Sequence, residues 1–143
     1  MFLNVSIITV CYNSSKTIVD TIRSVNIQTY PNIEHIFVDG LSLDNTVELI
    51  RRNSNRNNLI ISEKDKGLYD AINKGISNAG GDVIGILHSD DFFNSPDIIL
   101  DLVTKIQKEN LDAIYGDLQY VNETNTNKTV RYWKSCEFTP RLI

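Results

Sequence analysis

Val83–Phe93 reads VIGILHSDDFF, an apolar run that ends abruptly in two adjacent carboxylates. Val83 to Leu87 is too short to cross a bilayer and well sized for a fully buried strand. Where the run stops, His88 and Ser89 lead into Asp90 and Asp91. Neighbouring negative charges repel unless a cation or hydrogen-bond donors compensate them. A hard divalent cation does so through oxygen ligands, and Mg²⁺ commonly takes one or two protein carboxylates together with substrate phosphates. In open α/β sheets, ligands sit in the crevice beyond the carboxyl ends of the strands, where Asp90 and Asp91 would lie. The plainer alternative is a solvated turn before a helix starting at Ser95-Pro96. The rest of the chain decides between them.

Upstream, Val5 to Cys11 (VSIITVC) is β-rich and nearly continuous in apolar content, as a central parallel strand should be. Tyr12-Asn13-Ser14-Ser15 breaks it and offers N-cap side chains, and Ile18, Ile22 and Val25 then fall on one helical face. Tyr30-Pro31-Asn32 turns the chain into a second strand, Ile33 to Val38, which stops at Asp39-Gly40. A second helix is expected over Leu43 to Arg52, capped by Ser42, with Val47 and Ile50 inward. After a polar loop, Leu59 to Ser62 is a short third strand. Leu68, Ala71, Ile72, Gly75, Ile76 and Ala79 then form one face of a third helix. Gly80-Gly81 stops it before VIGIL. Downstream, Ser95-Pro96 opens a helix through about Glu109. A strand is expected over Ala113 to Val121, a polar turn over Asn122 to Lys128, and a returning strand over Thr129 to Trp133. Strands and helices that alternate in this way imply a three-layer α/β/α sandwich with a mostly parallel sheet.

The 143 residues suit one domain, 1–143, able to bury roughly 70% of the unfolded chain's surface. A net charge of -4 argues against a nucleic-acid surface, which needs clustered Lys and Arg. No run is long enough for a membrane span. The opening MFLNVSIITVCYN, without a basic region and interrupted by Asn4, Ser6 and Thr9, is not expected to act as a signal peptide. Cys11 and Cys136 lack metal-type spacing and read as free thiols of a reducing cytoplasm.

Three strand ends carry polar groups to one edge: Thr9 to Asn13, Asp39 to Asp44, and His88 to Asp91. Both glycine-rich phosphate cradles, G-x-G-x-x-G and G-x-x-x-x-G-K-[ST], are missing. A diphosphate bound at this edge would need its charge neutralised another way, and a metal held by Asp91 is the economical answer. Asp39 suits a base N–H or a ribose hydroxyl as an acceptor, and equally suits a turn before Gly40.

With these elements in order, the chain resembles the N-terminal, nucleotide-sugar-binding half of family 2 glycosyltransferases of the GT-A fold, in a bacterial surface-polysaccharide branch. The resemblance runs through VSIITVCYN, Asp39-Gly40-Leu41-Ser42-Leu43-Asp44-Asn45-Thr46, Asp65 to Gly75 (DKGLYDAINKG) and Ser89-Asp90-Asp91. It covers about Val5 to Trp133. It implies that Thr9 and Asp39 contact the base, with Tyr12 and Asn13 shaping that pocket. It implies further that Asp90 sits at the ribose or diphosphate and that Asp91 binds Mg²⁺ or Mn²⁺. Many relatives have Arg where this chain has Ile72; Lys66 would supply that charge instead, and Asp70 would meet sugar hydroxyls. Asp70 reads equally as a first-turn carboxylate favoured by the helix dipole, and His88, at the earlier acidic position, as a passive replacement.

The implied partners are a nucleotide-diphosphate sugar, UDP-linked as first choice, and a saccharide or lipid-linked saccharide acceptor, with homo-oligomerisation left open. The implied location is the cytoplasm, extending to the inner face of the membrane. In the family the general base lies well beyond the two-aspartate element. Its residue is unknown here, and Glu137 is available without any context that marks it. The chain therefore reads as a GT-A domain shortened after a C-terminal hairpin, with Trp133, Cys136 and Phe138 exposed or packed on something absent. Three activities compete: inverting glycosyl transfer, non-catalytic nucleotide-sugar binding or subunit pairing, and nucleotidyl transfer. The last normally needs a glycine- and base-rich loop that Cys11 to Lys16 does not provide.

Overall fold

The computed structural model describes residues 2–136. Glu137 and Phe138 lie outside them. The chain divides into two compact units, Met1–Thr104 and Lys105–Ile143.

In the first unit β1 (Val5–Cys11), β2 (Ile33–Asp39), β3 (Asn57–Ser62) and β4 (Val83–Ile86) form a parallel sheet in the order β3-β2-β1-β4. The helices are α1 (Ile18–Asn26), α2 (Thr46–Asn53), α3 (Leu68–Asn78) and α4 (Ile98–Glu109), whose last turns fall in the second unit. β1 lies between two partners and is buried along its whole length. One face of the sheet packs Cys11 and Phe37 against Ile18, Ile22 and Ile50 of α1 and α2, and Val5, Ile7 and Ile33 against Val25, Ile99 and Val103. The other face packs Ile8, Val10, Ile36 and Val38 against Ala71 of α3. This is the expected three-layer arrangement. Each fully buried Ile or Phe contributes about 1.5–3 kcal/mol of transfer free energy. At Gly75 a Cβ would lie 2.5 Å from Ile8 Cγ2, so α3 approaches β1 more closely than any side chain at that position allows.

Three expectations for this unit need correction. VIGIL is not fully buried: among the described residues β4 has a strand partner on one side only, and Ile84 and Ile86 are 43% and 49% exposed, while Leu87 is buried. Helix α2 begins at Thr46 rather than Leu43, because Asp44 accepts the Thr46 N–H (3.0 Å) and Ser42 is bonded to Asp39 instead of capping the helix. On α3 the apolar stripe is only partly covered; Ala71 and Gly75 are buried, whereas Leu68 and Ile76 are exposed.

The second unit holds an antiparallel hairpin of β5 (Leu118–Asn122) and β6 (Asn125–Trp133). The expected strand from Ala113 is shorter, because Asp117 instead accepts Ser135 N–H (2.8 Å) and the hydroxyls of Ser135 and Tyr132. The turn is also tighter than expected: the Asn122 side chain accepts both Thr124 N–H and Asn125 N–H at 3.0 Å, an Asx turn. Trp133 and Cys136 are exposed.

Candidate functional site

The ends of β1, β2 and β4 are tied together by side chains that bond across the gaps between them. In the turn after β1, Asn13 takes φ 50°. Its N–H donates to Ser42 Oγ (2.8 Å), and its Oδ1 accepts Leu43 N–H (2.8 Å). Ser14 N–H donates to Thr46 Oγ1 (2.8 Å), and Ser15 N–H to Asp44 Oδ2 (3.1 Å). Hydrogen bonds from Thr46 and Ser15 hold the Asp44 carboxyl down at about 2. The turn after β4 joins through Ser14 Oγ and Ser89 Oγ, 2.9 Å apart, and through Thr21 Oγ1, which donates to the Asp91 carbonyl at 2.7 Å. The strand ends predicted to share an edge therefore do.

Asp90 and Asp91 are exposed in this turn, and neither carboxylate accepts a hydrogen bond from the described residues. The Asp91 carboxyl is pushed above its ordinary range, first by partial burial among its neighbours and then by the charge of Asp90, against an opposing pull from His88. Tyr12 is 60% exposed. Gly40 sits between the Tyr12 ring and Asp65: a Cβ there would meet Asp65 Oδ2 at 2.7 Å and Tyr12 Cδ2 at 3.4 Å. A side chain at 40 would therefore displace the Asp65 carboxylate from its present position. Asp65 joins the edge although the sequence reading gave it no individual role; it was noted only as the first residue of the Asp65 to Gly75 segment. Asp65 Oδ1 accepts the Gly67 N–H (2.9 Å).

Thr9 and Asp39 lie behind this surface, both fully buried. Thr9 Oγ1 is bonded to His35 Nε2 at 2.9 Å. Asp39 accepts Ser42 N–H (3.1 Å), the Ser42 hydroxyl and Ser62 Oγ–H (2.7 Å), and it approaches the Cys11 thiol. Burial first, and then the nearby Asp39 charge, push that thiol up to about 12, so it stays protonated and unreactive. Asp70 accepts Lys66 N–H (3.0 Å) at the start of α3 and lies 3.4 Å from Lys74, which also pairs with Glu63 at 2.8 Å. These partners, the Lys66 N–H foremost, lower the Asp70 carboxyl. The Lys66 side chain is exposed. Ile72, which the resemblance set against an Arg position, packs on the α3 face of the sheet.

Residues 6–142 match the family model for glycosyl transferase family 2. The chain belongs to that family. Among its family 2 relatives, an uncharacterized glycosyltransferase of Mycobacterium tuberculosis is 40% identical over 100 residues, covering 69% of this chain and 38% of that protein. The UDP-Glc:alpha-D-GlcNAc-diphosphoundecaprenol beta-1,3-glucosyltransferase WfgD of Escherichia coli is 33% identical over 122 residues, covering 85% of this chain and 48% of that protein. The fold is similar to that of the mannosyltransferase PcManGT of Pyrobaculum calidifontis, solved in complex with GDP-Man and Mn²⁺. The TM-score is 0.68 at 22% identity, over 85% of this chain and 36% of that one. The chain thus spans less than half the length of these proteins. The α/β architecture with its parallel sheet is of the GT-A type.

Among the described residues, no group of three or more His, Cys, Asp or Glu side chains is arranged to hold a metal by itself. The donor set at the family 2 edge fits a different arrangement. Two adjacent carboxylates without hydrogen bonds, one of them raised, suit a cation that completes its shell with phosphate and water oxygens. No described helix is long and apolar enough to cross a membrane. A shallow cleft lined by Asn4, Asn32, Glu34, Asn57 and Gly81 lies at the opposite end of the strands and includes none of the site residues.

Proposed function

We propose that this chain is the donor-binding part of an inverting glycosyltransferase that uses a nucleoside-diphosphate sugar, UDP-linked as first choice, with Mg²⁺ or Mn²⁺ held by Asp91. The observation that carries this reading is the Asp91 carboxyl, raised and without a hydrogen bond from the described residues, beside Asp90 at the edge where three strand ends converge. The metal would supply charge neutralisation on the departing diphosphate. Asp90 lies beside it for the ribose or diphosphate. The exposed Tyr12 ring offers a stacking face for the base, with Asn13 and Asp65 at its border and Lys66 available to a phosphate. Thr9 and Asp39 would act from the layer behind. Asp39 already accepts from Ser42 and Ser62, so direct contact with a base requires one of those donors to give way.

In an inverting transfer an acceptor hydroxyl attacks the anomeric carbon as the bond to the diphosphate breaks, and a base takes the hydroxyl proton. The base is not assigned among the described residues. The diphosphoundecaprenol-linked substrate in the name of WfgD supports a lipid-linked saccharide acceptor, a role in cell-surface polysaccharide synthesis and action at the inner membrane face.

Calorimetry with UDP, GDP and TDP, with and without Mn²⁺, tests the reading. We expect UDP to bind about tenfold or more tightly with metal than after chelation, a difference of about 1.4 kcal/mol. Asp91→Ala should remove that difference while leaving the melting temperature close to wild type. The metal-supported increment should also fade on acidification, starting above the ordinary carboxylate range, because metal competes with a proton on a raised carboxyl. Equal affinity with and without chelator would sink the metal assignment.

A further inference from the structure

Helix α1 carries two buried polar residues, Thr21 (1% exposed) and Ser24 (5%), and a third, Gln28 (3%), follows just past its C-terminal end. Their spacing of i, i+3 and i+7 places them in one stripe. A threonine inside a helix usually turns its hydroxyl back to its own helix's carbonyl. Thr21 instead donates across to the Asp91 carbonyl at 2.7 Å. Ser24 Oγ–H donates to Thr21 O (2.8 Å), and Gln28 Nε2–H to both Ser24 O (2.9 Å) and Ser95 O (2.8 Å). Gln28 Oε1 in turn accepts Ile99 N–H at 3.1 Å, capping α4 from outside. Thr29 closes the row: its N–H donates to Pro96 O (2.8 Å) and its hydroxyl to Asp97 Oδ1 (2.7 Å). The segment from Asp91 to Ile99 is thus stitched to α1 through Thr21 and to the turn that follows the helix through Gln28 and Thr29. On the other side of Asp90, Ser14 Oγ lies 2.9 Å from Ser89 Oγ.

We propose that Thr21, seconded by Ser14, is a positioning residue for the donor-bound metal: the two hydroxyls fix the Ser89–Asp91 turn on either side of its repelling carboxylates. This rests on the reading that Asp91 holds the cation. Repulsion between Asp90 and Asp91 works to open the turn before metal arrives, and Mg²⁺ in particular demands near-ideal ligand geometry. A turn anchored on both sides meets that demand without reorganising. Loss of either hydroxyl leaves the carboxylates present but free to splay.

The test compares UDP affinity with and without Mn²⁺ for the full chain and for Thr21→Val, Thr21→Ser, Ser14→Ala and Asp91→Asn. Thr21→Val keeps the shape and removes the donor. We expect it to lose about tenfold in Mn²⁺-supported affinity, with metal-free affinity within about twofold of wild type, the effect of one hydrogen bond acting only on the metal-bound state. Thr21→Ser, which restores the hydroxyl, should recover most of that loss. Should Thr21→Val not fold cooperatively, Ser14→Ala on the half-buried turn carries the same expectation. An equal loss in metal-free and metal-supported affinity, or no loss in either variant, overturns the positioning role. If Asp91→Asn also retains full Mn²⁺-supported affinity, the metal reading itself falls; if only the Thr21 and Ser14 variants retain it, the positioning role alone does.

Discussion

His35 makes the stability of this fold depend on pH in a way that can be worked out beforehand. Its ring is fully buried in β2, 3.9 Å between centroids from Phe37, with Nε2 bonded to Thr9 Oγ1 at 2.9 Å and Nδ1 without a partner. Protonation would place a charge in the core with no acceptor at Nδ1, and burial accordingly lowers the imidazole from 6.5 to about 3. A depressed folded value means that stability is fully present above 6.5 and is lost as pH falls toward about 3, where the loss saturates. Within that window the unfolded chain binds a proton that the native state refuses. The slope is about 1.4 kcal/mol per pH unit, so moving from about pH 8 to about pH 5 removes roughly 2 kcal/mol. That is a large part of a typical stability of about 5–15 kcal/mol. His35→Gln keeps a polar group for Thr9 and cannot titrate, at a cost of about 1 kcal/mol in lost ring packing. Urea denaturation followed by far-ultraviolet circular dichroism should find the variant less stable at about pH 8. At about pH 5 it should be equal or superior, the roughly 2 kcal/mol relative gain being the protonation penalty it escapes. Other titrating groups are common to both proteins and cancel in the difference. Parallel pH slopes for the two proteins would refute the reasoning.

Asp39→Asn places an amide where Ser42 and Ser62 now donate to a carboxylate, and should destabilise the protein by about 1–3 kcal/mol in chemical denaturation through mismatched buried partners. UDP binding by this variant should weaken while its metal dependence remains, and unchanged affinity would reduce Asp39 to a structural turn residue. Leu41 holds φ at 62° in the loop after β2, a conformation that disfavours every residue except glycine. Leu41→Gly should therefore raise the melting temperature, or at worst leave it unchanged, the relief of about 1 kcal/mol of strain being offset in part by glycine's unfolded-state entropy. A clear fall would mean that the exposed Leu41 side chain is making a contact the fold needs.

The parts of this fold most legible in the sequence are those whose pattern is local. Ile18, Ile22 and Val25 repeat at helical spacing and are all fully buried, and the nearly continuous apolar run of β1 does lie between two other strands. Legibility fails where a long-range partner decides. Ser42 and Asp44 are both good helix-capping types, and only the proximity of Asp39 settles that Ser42 turns back to it while Asp44 receives the first turn. VIGIL signals residues that favour cover, but an apolar run cannot say how much of that cover the neighbouring strands supply. Three carboxylates at the strand edge, Asp39, Asp65 and Asp91, look alike on paper. In three dimensions one is sealed by serines, one leans over a glycine and one receives no hydrogen bond from the described residues. A lone histidine in a strand gives no hint that its second nitrogen goes unpaired.

Gly75 has an effect out of proportion to its chemistry. Because α3 rests on Ile8 at a separation that even a methyl group would forbid, the helix works as a lever with its fulcrum at that point. Its leading end continues the loop that brings Asp65 against Gly40 and Tyr12. A methyl at 75 would tilt the lever outward and draw Asp65 and Lys66 away from the strand edge. The width of the proposed site would therefore depend on a buried position two turns down a helix, one that no inventory of polar groups would select. A random screen for lost nucleotide affinity should return that position alongside the aspartates.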